Sequence, residues 1–204
     1  MNVIRHVLFD ADGVLQEPPG DWHGIASRWF GERTEEFLRA AFADEKPTLA
    51  GDGEFLPLLA ARLVEFGIDA PVDEVFDDIW LAIEQSPESI RLVEAVRTAG
   101  CGVHIGTNQD IGRGSWMRRE LGYDELFDVG CWSYEMGVAK PDPAYFSLAA
   151  ERIGAEPSQI VFVDDREDNV TSARTVGMVG ITWHLRQGHE ALVEQLAAVG
   201  VAVA

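Results

Sequence analysis

Residues Val7 to Leu15 read VLFDADGVL. An apolar run with the look of a buried strand ends in two carboxylates, Asp10 and Asp12, before Gly13 lets the chain turn. Carboxylates are costly to bury unless they are paired or hold a cation. Taken alone, the stretch reads as a strand followed by an Asp-rich turn. Its meaning depends on what the rest of the chain brings to the same place.

From Ser86 onward, strand patterns alternate with helix patterns. SPESIRLVEAVRTAG has Ser86 as N-cap, Pro87 at the first helical position and Gly100 as a stop. The strands CGVHIGTN, FDVGCWS, QIVFVDD and MVGITWH alternate with helices over 110–121, 142–154 and 167–176, and a last helix closes the chain. With the strand at 4–9, this pattern predicts a five-stranded parallel sheet covered on both faces, with right-handed crossovers. Residues 18–85 carry no convincing strand. Phe55, Leu58, Leu59, Leu63 and Phe66 share a helical face, and Val75, Ile79 and Ile83 repeat the spacing. The prediction is an α/β doubly wound sheet formed by residues 1–17 and 86–204, with a helical domain, 18–85, inserted after the first strand.

The chain has 204 residues and a formal net charge of −19, from 35 acidic and 16 basic side chains. That charge argues against nucleic acid or anionic membrane as partner, and an anionic substrate would need a local cation. Two cysteines, Cys101 and Cys131, make no disulfide framework, and there is no apolar run of membrane-spanning length. The expected setting is the cytoplasm.

In open parallel sheets, ligands bind beyond the carboxyl ends of the strands where strand order reverses. With order 3-2-1-4-5, the first strand ends in Asp10 and Asp12 beside the fourth, which ends in Asp164 and Asp165 with Asp168 following. Such carboxylates repel unless a cation sits among them, and oxygen-only ligands suit Mg²⁺. Lys140, Thr107 and helix-start amides are donors for a phosphoryl group. Acidic residues, Mg²⁺, a lysine and a hydroxyl together make a phosphoryl-transfer site, in which a carboxylate can itself be the nucleophile.

The set DADGVL, GTN, MGVAKPDPAYF and VFVDDREDNVTSARTVGM, in that order, resembles the four motifs of the haloacid dehalogenase superfamily, in the branch with a helical cap after the first motif. The resemblance implies a Rossmann-like core and an aspartyl-phosphate mechanism. Asp10 would attack phosphorus, and Asp12 would protonate the leaving oxygen and then deprotonate water. Thr107, with the backbone of Asn108, would bind a phosphoryl oxygen, and Lys140 would hold the charge of nucleophile and phosphoryl group. Mg²⁺ would be held by Asp10, the carbonyl of Asp12 and Asp165. Asp164 would support Lys140 or a metal-bound water, and Asp168 would stand behind them or simply favour its helix N-terminus. Dehalogenases proper lack an aspartate at the position of Asp12, which favours phosphate esters over carbon–halogen bonds.

The function expected is hydrolysis of a small phosphorylated metabolite of the sugar phosphate or phosphoglycolate type. A phosphomutase, a haloacid dehalogenase-type hydrolase and a non-enzymatic binding module are the alternatives, and the oligomeric state is open. Trp22 and His23 are read as packing of a cap hinge before substrate contacts. The tryptophans read as core or cap-interface residues, Cys101 as a small buried hydrophobe, and DEVFDD as a solvated helix face.

Overall fold

The computed structural model describes residues 3–203. In chain order its elements are β1 (His6–Phe9), β2 (Gln16–Glu17), α1 (Trp22–Phe30), α2 (Thr34–Thr48), α3 (Phe55–Glu65), α4 (Val72–Ile79), β3 (Glu84–Gln85), α5 (Pro87–Thr98), β4 (Gly102–Thr107), α6 (Ile111–Glu120), α7 (Tyr123–Leu126), β5 (Val129–Trp132), α8 (Ser133–Met136), α9 (Pro143–Ile153), β6 (Ile160–Asp164), α10 (Glu167–Thr175), β7 (Val179–Thr182) and α11 (His189–Ala198).

The main sheet has the order β5-β4-β1-β6-β7, all neighbours parallel, which is the third, second, first, fourth and fifth of its strands. Side chains alternate across it, as the strand period requires. Val7, Phe9, Val103, Ile105, Val161 and Val163 pack on one face under α5, α6 and α11. Leu8, Ile160 and Phe162 pack on the other under α9 and α10. Burial on both faces explains why the strands read as continuous apolar runs. The caps fall where the residue types put them: Ser86 accepts from the Ser89 amide, Asp110 from Gly112 and Asp142 from Ala144.

Helices α1–α4 gather around a separate apolar cluster that includes Phe30, Phe37, Phe55, Leu59, Phe76 and Trp80. Two expectations for this segment need correction. Leu58 is 40 % exposed and does not belong to the inward face of α3, which is formed by Phe55, Leu59 and Leu63. The last helix of the segment stops at Ile79, and Glu84–Gln85 instead pairs antiparallel with Gln16–Glu17. Outgoing and returning chains lie side by side here, with the Ser86 amide on the Leu15 carbonyl at 2.8 Å, so both are free to pair. Ile83 accordingly packs against the main core. The acidic residues of DEVFDD are exposed, and Cys101 is only partly buried whereas Cys131 is fully so. Among the described residues, no helix is long and apolar enough to cross a membrane.

Candidate active site

β1 and β6 are hydrogen-bonded neighbours in register Phe9↔Val163, so the residues following each emerge together at the carboxyl edge of the sheet. The Asp10 amide still bonds the Val163 carbonyl at 2.9 Å, while Asp164 is the last residue of β6. Gly13 makes the next turn at φ +78°, where a Cβ would lie 2.8 Å from Cγ of Asp165. Only glycine fits both the backbone angle and the close approach.

Oxygens of Asp10, Asp164 and Asp165 lie within 4.8 Å of one another. Lys140, almost fully buried, reaches into the group from the loop between α8 and α9. Its Nζ donates to Asp10 Oδ1 at 2.8 Å, to Asp164 Oδ2 at 2.7 Å and to the Gly106 carbonyl at 2.9 Å. Asp164 is fully engaged: it also accepts from the Arg166 amide and, on both oxygens, from Asn169 Nδ2. Asp10 Oδ1 accepts from the Ala11 amide at 2.7 Å as well as from Lys140, whereas Oδ2 takes no hydrogen bond from the described residues. The free carboxylate oxygens are therefore on Asp10 and Asp165.

Burial would lower the Lys140 ammonium, but Asp10 and Asp164 more than reverse this and hold it protonated. Burial would raise Asp164, yet Lys140 and its hydrogen bonds keep it below the usual carboxylate range. Asp10 is left pushed well up, by burial and then by Asp164. Asp165 is raised by the same pair of causes. When all three are ionised, the carboxylates outnumber the one ammonium by two negative charges. A divalent cation with an oxygen preference fits that charge and donor set.

Asp12 is placed differently from its neighbour. Its carboxylate accepts a bidentate pair from Arg113, Nη1 to Oδ2 at 2.7 Å and Nη2 to Oδ1 at 2.8 Å. Gln16 and Gln109 supply one further donor each, at 2.9 and 3.0 Å. Burial would raise this carboxyl; Arg113 and the two carboxamides instead hold it well below the usual range. Its accessible surface, 45 % of the side chain, faces the cavities it lines. Arg113 also bonds the Gln109 carboxamide and, through Nε, the Trp80 carbonyl at 2.7 Å, so it ties the α1–α4 segment to Asp12.

Sequence reasoning missed Gln16, Gln109, Arg113 and Asn169. A signal for two of them was present: Asp110 caps α6, which puts Gln109 just before the cap and Arg113 on the first turn, directly after GTN at the carboxyl end of β4. The expected residues sort as follows. Thr107 is buried, lines the cleft above Asp10, and its Oγ1 accepts from Gln109 at 2.9 Å. The Asn108 carboxamide closes on both main-chain polar groups of Lys140, at 2.9 Å each, so the side chain positions the lysine loop. Asp168 does not join the cluster; it is half exposed and paired with Arg166. His23 points away, to Glu35, whereas Trp22 bonds the Ile79 carbonyl and also lines a cavity.

The carboxylate cluster opens into a cleft of about 390 Å³ that contains Asp10, Thr107, Lys140 and Asp165. A second cavity, of about 320 Å³, lies between the helical segment and the sheet edge. The two share Asp12, Pro18, Leu49 and Asn108.

A doubly wound parallel sheet of this order, with carboxylates and a buried lysine gathered at its switch point, defines a phosphoryl-transfer type of site, and residues 4–177 match the haloacid dehalogenase-like hydrolase family. The chain belongs to that family. It is 31 % identical over 192 residues to the phosphatase MT3486 of Mycobacterium tuberculosis, covering 86 % of this chain and 85 % of that one. It is 27 % identical to the phosphoglycolate phosphatase of Xanthomonas campestris, with 93 % and 88 % covered. Its fold is also that of a haloacid dehalogenase family enzyme from Bacteroides thetaiotaomicron solved with magnesium and inorganic phosphate, at TM-score 0.75 and 19 % identity, covering 88 % and 93 % of the two chains.

Proposed function

We propose that this hydrolase is a Mg²⁺-dependent phosphatase of small phosphate monoesters, working through an aspartyl-phosphate on Asp10. The observation that carries the reading is the Asp10–Lys140–Asp164–Asp165 cluster, with a net negative charge and one unengaged oxygen on Asp10. The phosphatase relatives support it. Residues 18–85 act as the cap, and 1–17 with 86–204 as the core.

Asp10 Oδ2 attacks phosphorus as the bond to the leaving oxygen breaks, and Asp12 gives that oxygen a proton. Water then attacks the aspartyl-phosphate, passes its proton back to Asp12 and releases phosphate and free Asp10. Lys140 holds Asp10 in place and balances charge, while Thr107 and the Asn108 backbone bind phosphoryl oxygens. Asp10, Asp165 and the Asp12 carbonyl would hold Mg²⁺, which supplies Lewis-acid neutralisation of the phosphoryl oxygens. The four hydrogen bonds donated to its carboxylate hold Asp12 ionised, the form in which it can take the proton of the second step. Its acid step requires Arg113 to let go, and Arg113 also holds the cap through Trp80.

The test is a panel of phosphate esters assayed for free phosphate with and without Mg²⁺. Stoichiometric phosphate release that needs Mg²⁺ is expected. An isomerised ester with little free phosphate would point to a phosphomutase, and turnover untouched by chelation would remove the metal from the reading.

Replacing Arg113 by Gln should let burial dominate at Asp12 and move its titration midpoint upward by about 1 to 3 pH units, the span typical of an Asp beside Arg. Asp12 contributes stability above its unfolded value of about 3.9, and the wild type loses it only as pH falls through the depressed folded value. The variant should therefore lack this contribution at neutral pH. Carboxyl NMR titration reads the midpoint directly, and an unmoved Asp12 would mean that Arg113 does not set its protonation state.

A further inference from the structure

The second cavity differs in chemistry from the phosphoryl cleft it joins. Its cap side is apolar and aromatic: Trp22, Phe42, Leu49, Ile79 and Trp80. Phe42 and Trp80 meet edge to face with centroids 5.9 Å apart, and Trp80 is held in turn by Phe55 and Phe76. Most of the polar side chains on its walls are already committed. Asp12 accepts four hydrogen bonds, Asn108 is closed on Lys140, and Gln109 and Arg113 bond each other and Asp12.

Glu45 is the exception. It lies on α2, half-buried, and among the described residues its carboxyl closes no side-chain hydrogen bond of full geometry, facing only the Trp80 indole. Its carboxyl is near enough to the Trp80 indole to feel the N–H dipole. The bond is not closed, since Trp80 Nε1 is buried without a partner of hydrogen-bond geometry in a residue only 5 % exposed. Burial, and then the charge of Asp110, push Glu45 up to about 7, with Arg113 opposing. A carboxyl so placed can donate or accept near neutral pH.

We propose that this cavity takes the alcohol half of the phosphate ester, that the alcohol is a flat, largely apolar ring bearing a hydrogen-bonding substituent, and that Glu45 binds this substituent and sets the preference. The inference rests on the phosphatase reading, because the cavity meets the phosphoryl cleft at Asp12, the proposed proton donor to the leaving oxygen. Its volume, about 320 Å³, suits a ring-sized group. A polyhydroxylated sugar would bring several hydroxyls against aromatic walls with a single uncommitted polar side chain to meet them, and buried hydroxyls without partners are rejected.

The experiment compares kcat/KM in the Mg²⁺-loaded enzyme for acetyl phosphate, benzyl phosphate, 3-hydroxybenzyl phosphate and glucose 6-phosphate. Acetyl phosphate, an acyl phosphate with a two-carbon leaving group and no alcohol portion, reports on the phosphoryl site by itself. Both benzyl esters should exceed glucose 6-phosphate by about 100-fold, and the hydroxyl should add about 10-fold over benzyl, expressed in KM. In Glu45→Ala the hydroxyl advantage should collapse toward unity, and in Glu45→Gln, which keeps the shape and one donor, it should partly survive. Equal or better use of glucose 6-phosphate would overturn the proposal, as would a hydroxyl advantage that persists in both variants. If acetyl phosphate is turned over without any aromatic preference, this inference fails alone. If none of the four compounds is turned over, the phosphatase reading fails and takes this inference with it.

Discussion

Asp10→Asn should lower phosphate release by about 10⁴-fold or more, the scale on which removal of a catalytic nucleophile is felt. The amide keeps the shape of the carboxylate but offers neither a nucleophilic anion nor a charged ligand to Mg²⁺. The same substitution should not weaken the fold. In the wild type, burial and Asp164 push the Asp10 carboxyl well above its ordinary value, so its ionised form is disfavoured in the folded chain. A raised carboxyl contributes stability below its unfolded value, about 3.9, and loses it as pH rises through the folded value. At neutral pH without Mg²⁺ the burial of this carboxyl therefore costs stability, and the neutral amide removes that cost while Lys140 keeps Asp164 as partner. Thermal unfolding in chelator should show a midpoint equal to or above that of the wild type. Wild-type phosphate release from Asp10→Asn would sink the nucleophile assignment; lost activity with a sharply lower melting point would mean that Asp10 is structural.

The sheet was legible because its strands are buried on both faces and so are written as unbroken apolar runs, each ending in a polar residue at the same edge. The carboxylates were legible for the related reason that DADG and VFVDD place acids where no surface turn explains all of them together. Less visible was anything that depends on two distant segments meeting. Arg113 lies 101 residues from Asp12, on a helix whose pattern gives no hint of a partner. The β2–β3 pair is only two residues long on each side and exists because the chain returns beside its own exit, not because Gln16 or Glu84 favour strands. Leu58 has the spacing of a core residue, but the apolar cluster of α1–α4 is filled on the α3 side by Phe55, Leu59 and Leu63, and Leu58 stays exposed. Glu45 looks like one more surface acid until α2, Trp80 and Asp110 are brought around it.

Lys140→Ala should be the most destabilising change at the site, about 3 to 5 kcal/mol, because it leaves buried carboxylates without their counter-ion. The lysine side chain is 1 % exposed, and its Asp10 and Asp164 partners are 9 % and 0 % exposed. Water is thus a poor substitute for the lost charge. In the wild type the raised Lys140 value means that its contribution is complete below its unfolded value of about 10.4 and is lost only above that, so it is constant through neutral pH. In the variant the carboxylates lose the cation that kept Asp164 low, and their values climb. Acidification then protonates them and relieves the repulsion, so the deficit against wild type should be greatest near pH 7 and shrink toward pH 5. Millimolar Mg²⁺ should narrow the deficit at pH 7, since an ion that binds only the folded chain stabilises it and here also restores the missing positive charge. Thermal unfolding at both pH values, with and without Mg²⁺, separates this account from a packing defect. A cavity left by the lysine stem would cost the same at each pH and would not respond to the metal, and that pattern would show that Lys140 fills space where it is argued to balance charge.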